Sequence, residues 1–97
     1  MRRRRDDNHN EIGKVFLDLG CSVFDIHTLG GGIGDYIIGL CGLNILVEVK
    51  DGSKPPSRRK LTPAEKTLHD TWKGRIEIVE SIEDAVKLVN GIRITEI

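Results

Sequence analysis

No stretch of the 97-residue chain approaches the run of about 18 to 20 apolar residues that a membrane-spanning helix needs. The basic amino terminus is also not followed by the apolar core of a signal peptide. These absences predict a soluble, cytoplasmic protein with no membrane partner. Cysteine is scarce. Cys21 and Cys41 lack CxxC spacing and lie in apolar, strand-like settings, so reduced and partly buried thiols are expected, not a disulfide or a zinc site. The run Gly30-Gly31-Gly32-Ile33-Gly34 lacks both Gly-Lys-Ser/Thr and the GxGxxG register, and it leads into a strand where phosphate loops enter a helix. A nucleotide cofactor is therefore not expected, and the glycines are read as letting backbone approach DNA or a metal closely.

Net charge is missing too, since 15 basic and 15 acidic residues cancel, but the distribution is uneven. Residues 2–5 are four arginines, residues 50–75 hold eight basic and three acidic side chains, and residues 76–97 hold two basic and five acidic. A neutral protein with a basic face still binds a polyanion. Residues 1–6 are expected to be a flexible basic arm, with Arg3, Arg4 and Arg5 lying along DNA. The polar, proline-containing stretch 51–60 is read as a DNA-facing loop in which Ser57, Arg58, Arg59 and Lys60 contact phosphates, joined by Lys66 from the helix that follows.

At this length a single domain over residues 1–97 is expected, burying roughly 60 to 70% of the unfolded surface. Ile12, Val15, Phe16 and Leu19 recur at helical spacing and predict a first helix ending near Gly20, capped by Asp6, Asp7 or Asn8. Residues 21–27 read as a strand with Cys21, Val23 and Asp25 on one face. Thr62-Pro63-Ala64-Glu65 is a capping-box start for a helix running to about Lys73, with Ala64, Leu68 and Trp72 as its buried stripe. Residues 76–79 form a further strand, and Ser81 caps a last helix ended by Gly91. The alternating tail 92–97 is expected to be an edge strand or a dimer contact. The order is αβββαβα, an α/β fold with a small mixed β-sheet flanked by helices.

The organising stretch is residues 34–50. Two β-prone runs, Tyr36 to Leu40 and Leu43 to Val49, flank Cys41-Gly42, which predicts a hairpin with paired numbers summing to 83. Asp35 then faces Glu48, and such a like-charge pair costs stability unless a cation sits between the carboxylates. Glu48 and Lys50 share one face of their strand. Oxygen ligands from Asp35, Glu48 and the Val49 carbonyl suit Mg²⁺, with Mn²⁺ expected to substitute.

Asp35 with Glu48-Val49-Lys50, preceded by Glu11 on the first helix, resembles the PD-(D/E)XK nuclease superfamily. The ordered set of Asn-His-Asn-Glu-Ile, the glycine-rich lead, Glu-Val-Lys-Asp-Gly and Pro-Pro-Ser-Arg-Arg-Lys-Leu-Thr-Pro-Ala-Glu is similar to small phage and archaeal Holliday junction resolvases. That resemblance implies a restriction-endonuclease-like αβββαβ core and a homodimeric, Mg²⁺-dependent endodeoxyribonuclease acting on branched or duplex DNA. It implies Glu11, Asp35, Glu48 and Lys50 as catalytic residues, with Glu11 reaching a metal through water and Lys50 orienting the nucleophile or stabilising charge. Gly34 stands where the motif's proline precedes the aspartate, and Lys66 where relatives often carry glutamine. Two other readings keep parts of the pattern: cleavage of nicks, flaps or plain duplex in repair, and a catalytically silent DNA-binding accessory protein. His27 is assigned no chemistry, and His9 is read as either touching a phosphate or having no role.

Overall fold

The computed structural model describes residues 8–95, so Arg3, Arg4 and Arg5 and the end of the tail lie outside the described residues. Helix α1 (His9–Asp18) leads through β1 (Ser22–Asp25) and a 3-10 turn (His27–Leu29) to the hairpin of β2 (Tyr36–Leu40) and β3 (Leu43–Val49). Helix α2 (Pro63–Thr71), strand β4 (Ile76–Val79) and helix α3 (Ile82–Thr95) complete the expected order. The four strands form one mixed sheet in the order β1-β2-β3-β4, antiparallel except for the parallel β3–β4 pair. No helix among the described residues is long and apolar enough to cross a membrane.

Each helix of the core layer follows from its apolar stripe. Ile12 and Phe16 on α1 and Ala85, Val89 and Ile92 on α3 are buried against Tyr36, Ile38, Ile45, Val47, Val49 and Val79 of the sheet. Helix α1 stops in a Schellman arrangement, in which Cys21 N donates to Phe16 O at 3.0 Å and Gly20 N to Leu17 O at 3.0 Å, with Gly20 at φ +92°. Its start departs from expectation. Asn8 occupies the N-cap without a capping bond from its side chain; its amide instead donates to the carbonyls of Lys50 (3.2 Å) and Glu80 (3.3 Å), pinning α1 to the ends of β3 and β4.

The hairpin register is the expected one, from Leu40↔Leu43 to Tyr36↔Val47. Cys41 (φ 53°) and Gly42 (φ 77°) both adopt the left-handed conformation of a type I′ turn, which matches the twist of the flanking strands. Cys41 is exposed there, not partly buried, while Cys21 is buried; both are free thiols.

Two sequence-based expectations fail at the end of the chain. Helix α3 does not stop at Gly91 but continues to Thr95, so residues 92–95 are helical and not an edge strand. Ile92 extends the stripe of Ala85 and Val89 and is completely buried. Burying it gains about 1.5–3 kcal/mol, which exceeds the roughly 1 kcal/mol cost of glycine inside a helix. Arg93 then donates from its guanidinium to the Leu19 carbonyl, joining α3 to the end of α1.

Helix α2 also departs from expectation. Its capping box forms as read, with Glu65 N donating to Thr62 Oγ1 (3.2 Å) and Thr62 N to Glu65 Oε1 (2.8 Å). Its apolar stripe is not buried, however: Trp72 is 43% exposed, Ala64 is exposed and Leu68 half-buried, leaving Glu65 as the helix's buried residue. The sheet face away from α1 and α3 is accordingly covered only in part, with Phe24, Ile37 and Ile78 exposed on it. Trp72 lines an apolar hollow of about 340 Å³ there with Ile26, Leu29, Ile33, Ile37 and Leu46.

Phe16→Ala is expected to cost about 3–5 kcal/mol, because it empties a fully enclosed site between α1 and the sheet. Phe24, 69% exposed on the partly covered face, is expected to change stability by only about 0.5 kcal/mol when cut to alanine. Urea denaturation of both variants checks the contrast.

Candidate functional site

The site is built where the regular hairpin ends. Tyr36↔Val47 is the last regular pair; the next bond runs from Asp35 N to Val47 O at 2.8 Å, one residue out of register, as in a β-bulge. Gly34 permits this, because it holds φ +113° and a Cβ placed there would lie 3.1 Å from the Val47 carbonyl oxygen. Proline is fixed near −65°, so the departure from the resembled motif is a backbone requirement of this chain. As a result Asp35 does not simply face Glu48. Its Oδ2 accepts from Val49 N at 2.8 Å, and its Oδ1 lies 3.4 Å from His9 Nδ1 on α1.

Glu48 and Lys50 project to the opposite side of β3 from the core valines, as alternation requires. Glu48 is completely buried, and Lys50 nearly so. The Lys50 ammonium lies 3.9 Å from Glu48 Oε2 and donates to Glu65 Oε1 at 2.8 Å. Glu65 therefore has two tasks, capping α2 and neutralising Lys50. The glycine-rich segment meets the same turn: a Cβ on Gly32 (φ +75°) would come within 2.6–2.8 Å of Ala64 and Glu65 backbone atoms. The end of β3, the glycine segment and the first turn of α2 thus pack as one unit. Sequence reasoning missed Glu65 as a site residue, since the capping box accounts for it completely.

Asp35 also belongs to a second group. His9, completely enclosed, stacks on Tyr36 with ring centroids 4.5 Å apart and accepts the Tyr36 hydroxyl at its backbone carbonyl (2.9 Å). Its Nε2 lies 3.0 Å from Asp25 Oδ2. Asp25 Oδ1 accepts from the His27 backbone N–H at 3.0 Å and lies 2.6 Å from His27 Nδ1. His9 and His27 are therefore not bystanders. The legible signal was parity: Asp25 shares the inward face of β1 with Val23. Burial of His9 was legible as well, because it stands three residues before Ile12 and seven before Phe16, on the same stripe of α1.

The remaining assigned residues are more dispersed. Glu11 is exposed and does not reach Asp35, Glu48 or Lys50 through any contact seen; it lines a neighbouring cleft of about 720 Å³ with Asn8, Asp51, Ser53, Glu80 and Asp84. Ser57, Arg58 and Lys60 are exposed on the loop after β3, beside a 3-10 turn (Pro56–Arg58). Arg59 is half-buried and committed to Glu80 at 2.9 Å, and Lys66 pairs with Asp70 at 3.0 Å along α2.

Burial lowers the proton affinity of His9, but its bonds to Asp35 and Asp25 outweigh this and raise its pKa above 6.5. For Asp25, burial pushes upward while the His27 and His9 bonds prevail, bringing it from 3.8 to about 2. Stabilisation from His9 is thus complete below pH 6.5 and fades as pH rises through its folded value. Stabilisation from Asp25 is present above pH 3.8 and fades as pH falls through about 2. Thermal melting across pH is expected to show both contributions intact between those limits. His9→Gln should remove the alkaline-side loss relative to wild type, with His69 and its burial-lowered pKa common to both proteins. Gly34→Pro, although it restores the resembled motif, is expected to lower the melting temperature by disrupting the bulge.

Comparison with protein-family models, curated proteins and solved structures finds no match to this chain. The functional reading therefore stands on the residues and their geometry.

Proposed function

We propose that the protein is a Mg²⁺-dependent endodeoxyribonuclease with a restriction-endonuclease-like core, acting on branched DNA in the manner of a Holliday junction resolvase. The observation that carries this reading is the burial of Asp35, Glu48 and Lys50 at one end of the β2–β3 hairpin. Charged groups are rarely enclosed without a task or a partner.

The donor set fits the ion. Carboxylates of Asp35 and Glu48 and the Val49 carbonyl are hard oxygen donors, and the Val49 amide already holds Asp35 Oδ2 in place. When bound, Mg²⁺ would make water more acidic and neutralise charge developing on the phosphate. Lys50 supplies a fixed positive charge on the same face as Glu48, and Glu65 keeps its ammonium oriented. Opening of the unit formed by the glycine segment and α2 would admit the phosphodiester. Exposed Ser57, Arg58 and Lys60 would position the backbone, while Arg59 and Lys66 would first have to leave Glu80 and Asp70. A water-mediated role for Glu11 would likewise require it to move inward from its cleft. Pairing of two cuts across a junction implies a homodimer, and the exposed apolar side chains Phe24, Leu29, Ile37, Trp72 and Ile78 offer surface for it.

The experiment is cleavage of a labelled synthetic four-way junction, with a linear duplex alongside, in Mg²⁺ or EDTA. Wild type is expected to give paired, symmetric nicks in Mg²⁺ only. Glu48→Gln and Lys50→Ala should each reduce the rate by at least about a hundredfold, with junction binding retained. A junction bound but uncut in both Mg²⁺ and Mn²⁺ would replace this reading with a DNA-binding role.

A further inference from the structure

Two buried imidazoles and one carboxylate converge away from Lys50. His9 is completely enclosed, His27 is buried, and each presents a ring nitrogen to Asp25. One donor atom from each of the three lies within 4.8 Å of the others. The geometry points to a second metal site, formed by His9, Asp25 and His27, for a borderline divalent transition ion of the Zn²⁺ class.

The donor types decide the ion. Imidazole nitrogen suits Zn²⁺ and its transition-metal neighbours, whereas Mg²⁺ prefers an all-oxygen shell. Tetrahedral bonds of about 2.0–2.1 Å place neighbouring donors about 3.3 Å apart. The present separations, 3.0 Å for His9 Nε2 to Asp25 Oδ2 and 2.6 Å for His27 Nδ1 to Asp25 Oδ1, are hydrogen-bond lengths on the two oxygens of one carboxylate, so binding an ion would draw the donors slightly apart. An ion would replace the ring protons that now face the carboxylate.

The surroundings are those of a prepared ligand set. Tyr36 clamps the His9 ring by stacking, and the His27 backbone N–H holds Asp25 Oδ1. With an ion on Nε2, His9 retains its other proton on Nδ1, which faces Asp35 Oδ1 at 3.4 Å. Closing that approach to a hydrogen bond would complete the carboxylate–histidine–metal relay that fixes the tautomer of a ligating imidazole. The Asp25 side chain is 39% exposed, giving the ion a path in and leaving room for solvent in the fourth position. Its ligands do not include Glu48 or Lys50, and it adjoins the proposed hydrolytic centre only through Asp35, which His9 Nδ1 faces.

The test is titration of the full chain with Co²⁺ in excess Mg²⁺, read by visible absorption, and with Zn²⁺, read by calorimetry. One ion per chain is expected, with the intense bands of tetrahedral Co²⁺. His27→Gln and Asp25→Asn should each weaken binding by at least about tenfold, while Glu48→Gln leaves it unchanged; circular dichroism confirms that each variant is folded. Binding lost with Glu48→Gln but kept with His27→Gln would move the ion to the hairpin end and overturn the assignment. Absence of Co²⁺ bands and of Zn²⁺ heat in the wild type would overturn it as well, reducing the cluster to a hydrogen-bonded network.

Discussion

Glu48 and Lys50 leave water together on one strand, and each buried ion costs several kcal/mol before its partners are counted. The cost falls where a 97-residue domain has little stability to spare. The molecule offsets it by bringing α2 to the strand end, where Glu65 takes the Lys50 ammonium at 2.8 Å. The Thr62 capping box starts α2, and the ion pair accounts for the helix's one buried residue being an acid. It also fixes the glycine segment, since only a residue without Cβ lets Gly32 pass against the Ala64 and Glu65 backbone.

The opposite side of the same hairpin end solves a matching problem for Asp35. The bulge at Gly34 and Asp35 turns the carboxylate toward the Val49 amide and the His9 ring. Like charges at Asp35 and Glu48 are therefore held by different partners, one by a backbone donor and an imidazole, the other beside an ammonium. Those partners moderate their mutual repulsion. Support for hydrolysis lies in the enclosed arrangement of Asp35, Glu48 and Lys50 taken together.

Much of the fold was legible because its signals are local and periodic. The stripe at Ile12 and Phe16, the Cys41-Gly42 turn and the Thr62 capping box each depend on a few adjacent residues, and each formed as read. The failures share a different cause. Gly91 signals a stop only until Ile92 finds a fully buried place. Trp72 reads as core only if the sheet face beneath α2 is closed. Nor does a strand's parity disclose that a bulge will redirect Asp35. In each case a contact distant in sequence outweighs a preference of about 1 kcal/mol or less.

The candidate site shows the same division. Spacing on β3 placed Glu48 and Lys50 on one face, but Glu65 and His9 enter from helices whose docking angle no local pattern encodes. Two ionisable clusters thus share Asp35 as their boundary: one rich in oxygen donors around β3 and α2, the other rich in imidazole around α1 and β1. Hard and borderline cations sort between such environments by donor type, not by charge. A chain with 15 acidic residues offers many places for a cation to linger, but among the described residues His9, Asp25 and His27 are the one group of three with metal-ligand spacing. The bulge keeps one oxygen of Asp35 within reach of His9 while the other stays on the hairpin, and so sets the two donor environments side by side.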